Sequence, residues 1–418
     1  MKFIITLAFK NLSRYKRRTS ITAVAIAVGL MMYLLVDSIL IGAENESMRN
    51  LRWYETASAR IHAPSYWEDR MLFPMESSIE NPDAVLALLD ENGWKATART
   101  VFTADMILYS EDFGEDGNMN VLVTAIDPET DNDVFHFSDT LIDGRFLEKG
   151  DENGILIGSW FAEDINAKVG HWITLVARGN GGFYEAMDMQ IVGILNCPNP
   201  NVNRTLLMMD KDTAGYYLGM NQAVTEIDVL LPEHEDIDVE MAKIQAKIEA
   251  SHLDLEVHSW KELAKDYLAI AEAKRGGTSM ILFLVFIIAA VGISNTMLMA
   301  MYERTRELGM MRAMGMSDNN IRLAFLIEAG GIGFVGAVFG IVLGLLANLY
   351  MVNVGIDFGW MMRDLDMGYR IQSVFRGAWS MSSFIEAFVA GIGLSMIVAW
   401  IPISRALKMD IPSCLRHQ

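Results

Sequence analysis

The sequence predicts a membrane protein with four transmembrane α-helices and a large α+β domain between helices 1 and 2. Two observations lead to this fold class. First, four apolar segments reach the roughly 20 residues that a membrane-spanning helix needs, and they lie at Ile21–Ile41, Met280–Met301, Leu323–Met351 and Phe384–Ile403. Second, the residues between the first two segments alternate strand-like runs with turn residues, which is typical of a folded domain.

The basic residues orient the four spans. Lysines and arginines cluster before the first span, between the second and third, and after the fourth. Because the positive-inside rule places such clusters in the cytoplasm, we expect both termini to be cytoplasmic and the large domain to lie outside. The first apolar run is too long for a signal-peptide core and no small-residue cleavage site follows it, so it is predicted to remain as a membrane helix.

These assignments divide the chain into consecutive segments. The first of them is amphipathic and basic, so we expect it to lie on the cytoplasmic membrane surface against anionic lipid headgroups. The segments are a cytoplasmic amphipathic helix at 1–19, transmembrane helix 1 at 20–42, the external domain at 43–278, transmembrane helix 2 at 279–302, a cytoplasmic helix at 303–320, transmembrane helix 3 at 321–351, an external loop at 352–383, transmembrane helix 4 at 384–404 and a cytoplasmic tail at 405–418.

The external domain is predicted to have two parts and two stalk helices. Strand-like runs bounded by turn residues occur at Ala59–Ala63, Val121–Ile126, Ile155–Gly158, Ile173–Ala177, Met189–Leu195, Thr205–Met209 and Glu226–Leu231. Helical periodicity occurs at Pro82–Glu91, Val239–Ser251 and Trp260–Lys274. This order predicts a strand-rich subdomain at about 111–218 inserted between α+β parts at about 55–110 and 219–258. Stalk helices at about 43–54 and 260–278 would continue spans 1 and 2 outward, and Gly276 and Gly277 leave open whether the second stalk is a rod or a hinge.

The charge of the chain is concentrated in the external domain. Residues 44–278 carry 43 acidic against 18 basic side chains. Such a surface argues against nucleic acid as a partner, and we interpret it as a means of keeping the domain soluble rather than as a cation site. The carboxylates from Asp127 to Asp133 alternate as in a calcium loop, but Asn132 stands where that loop needs glycine, so an acidic surface turn is the favoured interpretation.

The sequence contains no catalytic or metal-binding motif. It has no GxxxxGK[ST] phosphate loop, no HExxH and no GxSxG. Cys197 and Cys414 are predicted on opposite sides of the membrane, so they do not form a disulfide. We therefore expect a non-catalytic protein with no metal and no cofactor of its own.

Two groups of residues within the spans stand out. Asp37, Glu328 and Glu386 are carboxylates in or at the edges of spans, where a functional site is the usual hypothesis, although positions near span ends leave a structural or interfacial role open. Helix 3 carries a small-xxx-small ladder that favours close helix packing, either with another helix of the chain or with a second copy, and it consists of Gly336, Gly340 and Gly344. The alternative is that glycine is simply common in membrane helices.

The segment Glu303–Gly315 is the most informative part of the chain. It places a charged, helix-favouring run between two apolar spans, it closes on a glycine, and Ser317 follows as an N-cap for the next helix. A basic loop alone would explain the arginines, but not the acidic residues at helical spacing or the methionines on the opposite side. A short amphipathic helix that binds a cytosolic partner explains the arginines as well as the acidic residues and methionines.

At this point the chain resembles the ABC-transporter permeases of the MacB and lipoprotein-releasing (LolC and LolE) type. Four pieces in the same order carry the resemblance, and together they span nearly the whole chain. They are LAFKNLSRYKRRTSIT from Leu7, DGRFLEKGD from Asp143 with VGHWITL from Val169 and VGIL from Val192, ERTRELGMMRAMGMSDNNI from Glu303 running into FLIEAGGIG, and IPISRALKMDIPSCLR from Ile401.

The resemblance implies a permease of the bacterial inner membrane with a periplasmic domain, which works by mechanotransmission. It would form a dimer with a second permease, either a copy or a homologue, and recruit a separate cytosolic ABC ATPase dimer that binds ATP and Mg²⁺. The family's coupling helix corresponds to Glu303–Gly315, so the implied ATPase contacts are Glu303, Arg304, Glu307, Leu308, Met311, Arg312, Met314 and Gly315. Glu328 matches an acid that the family usually has.

Two differences from the macrolide-exporter branch of the family determine which function we expect. The macrolide-exporter branch carries an ATPase before the first span, which this sequence does not show, and the outer loop at 353–383 is longer than in that branch. We therefore expect extraction or movement of a lipoprotein or other hydrophobic cargo at the periplasmic face, with a periplasmic chaperone or adaptor as a further partner. The alternative is a regulatory subunit that controls a periplasmic partner such as a cell-wall hydrolase.

Overall fold

The computed structural model describes residues 16–114, 116–232, 236–273, 302–303, 305–357 and 374–408, together with single residues and pairs between 280 and 299. The chain divides into two compact units. We call Glu46–Ala269 the sheet domain, and the described residues before and after it the helical unit.

The first helix, α1, runs without interruption from Lys16 to Leu51 and ends in a π-helical turn at Arg52–Thr56. The sequence predicted a span at 20–42 and a stalk at 43–54, and the structure has a single helix across both. The predicted amphipathic helix at 1–19 lies almost entirely outside the described residues.

The sheet domain is built on one mixed ten-stranded sheet. Its strands are β1 (Ala59–His62), β2 (Lys95–Leu108), β3 (Gly117–Ile126), β4 (Leu141–Gly144), β5 (Gly154–Gly158), β6 (Trp172–Arg178), β7 (Tyr184–Leu195), β8 (Leu207–Asp210), β9 (Glu226–Leu230) and β10 (Glu256–Ser259). They are ordered β10-β1-β9-β2-β3-β8-β5-β7-β4, and β6 pairs with β2 and β7. All pairs are antiparallel except β3 with β8 and β5 with β7.

Strand β2 joins the two predicted parts of this domain. Its first half pairs with β9 from Lys95 to Arg99, and its second half pairs with β6 from Ala104 to Ile107. The segment at 111–218 supplies β3 to β8, and the flanking segments supply β1, β2, β9 and β10. Both parts therefore share one continuous sheet.

The helices of the sheet domain are short, and polar side chains cap several of them. They are α2 (Pro64–Glu68), α3 (Pro82–Glu91), α4 (Ser110–Phe113), α5 (Asp131–Val134), α6 (Ser159–Asp164), α7 (Pro200–Thr205), α8 (Lys211–Leu218), α9 (Ile237–Ala250) and α10 (Trp260–Leu263). Asn81 caps α3 by accepting from the Ala84 N–H, with Pro82 in the first turn. A capping box of Ser259 and Glu262 begins α10.

The second predicted stalk is not one continuous helix. α10 ends at Leu263, Ala264 leaves helical geometry with φ −96° and ψ 17°, and helix resumes at 265–273. Trp260 and Ala264 pack with Leu51 at the end of α1. The glycines proposed as a hinge lie outside the described residues.

The helical unit contains three further helices and a short hairpin. The helices are α11 (Thr305–Ala313), α12 (Asp318–Asn353) and α13 (Met381–Ala406), and the hairpin strands are β11 (Ile356–Asp357) and β12 (Val374–Phe375). Among the described residues, three helices are long and apolar enough to cross a membrane, at Thr19–Thr56, Asp318–Asn353 and Met381–Ala406. The predicted second span at 279–302 lies mostly outside those residues, so the fourth transmembrane helix stays a prediction.

Candidate functional site

The cytoplasmic helix predicted from the sequence, α11, ends in a Schellman motif. The Gly315 N–H donates to the Arg312 carbonyl (3.0 Å) and the Met316 N–H donates to the Met311 carbonyl (3.1 Å). Gly315 has φ +89°, a left-handed conformation that glycine adopts without the steric cost of a side chain. This motif fixes the direction in which the chain leaves α11.

A second set of contacts joins α11 to the start of α12. Ser317 caps α12 by accepting from the Asn320 N–H (3.4 Å). The Nε of Arg312 lies 3.1 Å from the Asp318 carboxylate in the first turn of α12. We call this short connection between the two helices the elbow. The hydrogen bonds and the ion pair that flank it hold α11 at a defined angle to α12.

Burial separates the predicted partner contacts into two groups. Leu308 is only 1% exposed and belongs to an apolar cluster with Ile321, Phe325, Ile403 and Leu407. The Leu308 side chain is covered by the chain's own helices, so its contact with an ATPase, implied by the resemblance, stays a prediction. Met311 also packs against this cluster. Both residues therefore hold α11 against this apolar cluster.

The opposite side of α11 faces solvent. Met314 is 80% exposed and Met310 is 45% exposed. Glu303 is exposed and Glu307 is half-buried, while Arg304 lies outside the described residues. The sequence contained part of the signal for this division, since Leu308 and Met311, three residues apart, share one side of the helix and Met310 and Met314, four apart, share another.

The glycine ladder of α12 packs against α1 of the same chain. A Cβ built on Gly336 would lie 2.8 Å from the Ile26 Cβ, and one on Gly340 would lie 3.0 Å from the Ala27 carbonyl oxygen. A Cβ on Gly344 would lie 2.5 Å from a Leu34 methyl carbon. Contacts this short leave little room for a side chain, so the ladder lets the two backbones approach closely.

Other small residues place α13 against the same bundle. A Cβ on Gly333 of α12 would lie 2.8 Å from the Gly391 carbonyl oxygen, and one on Gly391 would lie 2.8 Å from a Leu30 methyl carbon. The segment after β12 adds two hydrogen bonds to α1, since Ser38 Oγ donates to the Ala378 carbonyl (3.0 Å) and the Ala378 N–H donates to the Ser38 carbonyl (3.0 Å).

The three predicted carboxylates occupy different environments. Glu328 is 5% exposed within α12. Glu386 is exposed and accepts a hydrogen bond from the Tyr33 hydroxyl (3.2 Å). Asp37 is half-buried, and its Oδ2 and the Oδ1 of buried Asn348 are among the buried oxygens that have no hydrogen-bond partner in the described part of the chain. Among the described residues, Asp37 and Glu386 both lie near Tyr33.

The acidic turn at Asp127–Asp133 is a surface feature at Glu129 and Asp133, as interpreted from the sequence, but not at Asp131. Asp131 is fully buried, and its carboxylate makes a bidentate pair with Arg99 at 2.7 and 3.0 Å. In the described residues, no group of His, Cys, Asp and Glu side chains is arranged to hold a metal ion. The alternating acids gave no sequence signal for this pairing, because Arg99 is distant along the chain.

Comparison with family models decides the identity of the chain at family level. The model of the FtsX-like permease C-terminal region matches residues 279–411, and that of the MacB-like periplasmic core domain matches residues 19–247. The chain belongs to the MacB-type ABC-transporter permeases. The resemblance inferred from the sequence is thereby confirmed, and the match to the MacB-like periplasmic core covers residues 46–247 of the sheet domain.

Individual relatives of this MacB-type permease are distant. An ABC transporter permease of Methanocaldococcus jannaschii is 23% identical over 372 residues, which cover 86% of this chain and 87% of the relative. The macrolide export ATP-binding/permease protein MacB of Pasteurella multocida is 24% identical over 420 residues, 96% of this chain but 58% of that protein. The lipoprotein-releasing system transmembrane protein LolC of Neisseria meningitidis is 22% identical over 323 residues, 71% of this chain and 73% of the relative.

Solved structures include the periplasmic region of MacB from Actinobacillus actinomycetemcomitans. It aligns with a TM-score of 0.37 at 12% identity, covering 53% of this chain and 97% of that one. The chain spans a little over half the length of the Pasteurella multocida MacB relative.

Proposed function

We propose that this MacB-type permease is the membrane subunit of an ATP-driven transporter whose ATPase is a separate cytosolic dimer, and that α11 is the helix on which this ATPase docks. One observation carries the proposal. The inner side of α11 is anchored by Leu308, while Met310 and Met314 are exposed on the outer side. Exposed apolar side chains on an anchored helix fit the helix-in-groove mode of recognition.

The elbow gives this docking helix a mechanical connection. The Schellman motif at Gly315 and the Arg312–Asp318 pair fix α11 to the start of α12. A displacement of α11 would therefore move α12 as well, and the close contact between α12 and α1 at the glycine ladder would pass it to α1. Packed helices transmit displacement because their interiors are not freely deformable.

Helix α1 is proposed to carry the motion outward. Its 36 residues span about 54 Å at 1.5 Å per residue, which exceeds the roughly 30 Å hydrocarbon core of a bilayer. We infer that the work is done at the periplasmic face, on a lipoprotein or other hydrophobic cargo, with the N- and C-termini cytoplasmic. The similarity to the lipoprotein-releasing protein LolC supports this cargo class. A second permease, either a copy of this chain or a homologue, would form the membrane pair with it.

The test is co-purification of an ATPase with the tagged chain from its native membrane in mild detergent. Wild type is compared with Met314→Glu and with the matched control Met71→Glu, in which an equally exposed methionine of the sheet domain receives the same change. We expect Met314→Glu to lower the recovered ATPase at least about 10-fold, which corresponds to 1.4 kcal/mol of binding free energy. The control should recover as much as wild type.

Each component of the proposal has its own contradicting result. Absence of any ATPase from the wild-type eluate would argue against an ATP-driven transporter. Equal recovery with Met314→Glu would leave the transporter assignment intact and remove α11 as the docking site. The relatives named above are transporter components, so they do not favour the alternative of a regulatory subunit that controls a periplasmic partner.

A further inference from the structure

The sheet domain contains a cavity of about 380 Å³. Its volume is at the lower end of the roughly 300–1,000 Å³ that small-molecule sites occupy. Exposed residues such as Met71 and Asn201 line it, so it is open to solvent. Much of its wall is aromatic or aliphatic, and the larger apolar side chains are Tyr54, Tyr66, Trp67, Phe73, Leu122 and Phe137.

A buried cluster of charged side chains adjoins this cavity. Its members are Arg60, Arg99, Asp131, Glu226 and Asp228. Arg60 lies 2.6 Å from Asp228 and 3.1 Å from Glu226, and Arg99 is paired with Asp131. Three of the five, namely Arg60, Arg99 and Glu226, also line the cavity. One part of the cavity wall is therefore charged while much of the rest is apolar.

The cluster lacks one positive charge. It contains three carboxyl groups and two guanidinium groups. The Oδ2 of fully buried Asp228 has no hydrogen-bond partner among the described residues, and its closest cation in the cluster is Arg99 Nε at 4.0 Å. Buried charges are stable when they are paired. The cluster would therefore be balanced by one added cation.

The neighbouring titratable groups do not supply this cation. Burial and the adjacent Arg60 lower the pKa of His62 to about 3, so its imidazole is neutral at physiological pH. Burial raises the pKa of Tyr66, whose hydroxyl also stays neutral. Arg70 is exposed and stacks on Trp67 with 4.3 Å from its guanidinium carbon to the ring centre, and Glu55 accepts a hydrogen bond from Asn199.

We propose that this cavity binds a small amphipathic organic cation, with its ammonium or amidinium group at Glu226 and its apolar body against the aromatic wall. The site goes beyond the transport function proposed above and does not depend on it. Electrostatic attraction to the net negative charge of the cluster, which reaches the cavity wall at Glu226, would select the cation. The aromatic and aliphatic side chains of the cavity wall would add apolar contacts to the body of the ligand.

Protonation of Glu226 competes with such a ligand. Burial raises the pKa of Glu226 to about 7, against the opposing effect of Arg60 and with a further rise from Asp228. Below that pH the proton supplies the missing charge. Above it the cluster is one positive charge short, and a cationic ligand can supply that charge. Because only the ionised fraction binds, the affinity for a cation should rise about 10-fold from pH 6 to pH 8.

The proposal is tested by calorimetric titration of the full chain in lipid nanodiscs with three probes of similar shape. The probes are phenethylammonium, the neutral 2-phenylethanol and the anionic 3-phenylpropionate. We expect one phenethylammonium per chain at pH 8, with the other two at least about 10-fold weaker. Glu226→Gln should lose this preference, and the exposed control Glu185→Gln should bind as wild type does.

Several results would overturn the proposal. These are no binding of phenethylammonium to wild type, equal binding of 2-phenylethanol, tighter binding of 3-phenylpropionate, or unchanged cation affinity in a folded Glu226→Gln chain. If Glu226→Gln does not fold, as judged by circular dichroism, the probe series and the pH profile of wild type decide alone. A wild-type affinity that does not change between pH 6 and pH 8 would contradict the proposed role of Glu226.

Discussion

Replacing Leu308 by alanine should destabilise the helical unit without removing the exposed surface of α11. The side chain is 1% exposed and packs with Ile321, Phe325, Ile403 and Leu407. Truncation of a leucine in such a cluster costs about 2–5 kcal/mol, since apolar contacts are lost and a cavity remains. Met314→Ala is the matched control, because a side chain that is 80% exposed should change stability by no more than about 0.5 kcal/mol.

The assay pairs thermal unfolding with ATPase recovery. The purified chain is heated in detergent while tryptophan fluorescence is recorded, and the co-purified ATPase is quantified from the same preparation at low temperature. We expect a lower unfolding midpoint for Leu308→Ala and an unchanged one for Met314→Ala, with the larger loss of ATPase in the second variant. An unchanged midpoint for Leu308→Ala, together with a loss of ATPase, would mean that Leu308 is a direct contact and that the anchored orientation of α11 is incorrect.

Three further predictions follow from the close contacts and the buried cluster. Gly340→Leu should lower the thermal midpoint by the equivalent of about 1–3 kcal/mol, because its side chain would meet the backbone of α1. The control Gly393→Leu, where a Cβ meets nothing within 4 Å, should leave the midpoint unchanged. Equal midpoints for the two variants would refute the close packing of α12 on α1. Gly315→Ala should cost about 1–2 kcal/mol from its positive φ alone, with Gly315→Asn milder; an unchanged midpoint for the alanine variant would contradict the left-handed turn. Burial raises the pKa of Glu226 from 4.5 to about 7, so its protonation stabilises the folded state most below pH 4.5. The free energy of unfolding should fall by about 3 kcal/mol as pH rises through 7. Urea unfolding at pH 5 and 8 should show this fall in wild type, and a fall that persists in Glu226→Gln would be assigned to another group.

Local signals predicted the helices better than the long strand. Helix α3 has the predicted bounds because Asn81 and Pro82 begin it and apolar positions recur at helical spacing. Strand β2 was not predicted from the sequence. Its residues from Thr97 to Phe102 are all buried, so the alternation of apolar and polar residues is absent, and threonines and Arg99 occupy interior positions.

The candidate site was predictable to the extent that it is local. Gly315 and Ser317 indicated the end of one helix and the start of the next, and the structure has both features. The burial of Leu308 was not predictable from α11 alone, because it depends on Ile403 and Leu407, which arrive from the end of the chain. Asp131 was misjudged for the same reason, since its partner Arg99 is on another element.

The glycine ladder limits how two permeases can associate. Gly336, Gly340 and Gly344 are covered by Ile26, Leu30 and Leu34 of the same chain, at distances that leave no room for another helix. A pair of permeases joined through this ladder would first have to separate α12 from α1, and the proposed path from α11 to α1 would then be broken. If motion passes along that path, the contact between permeases must use a different surface of the helical unit.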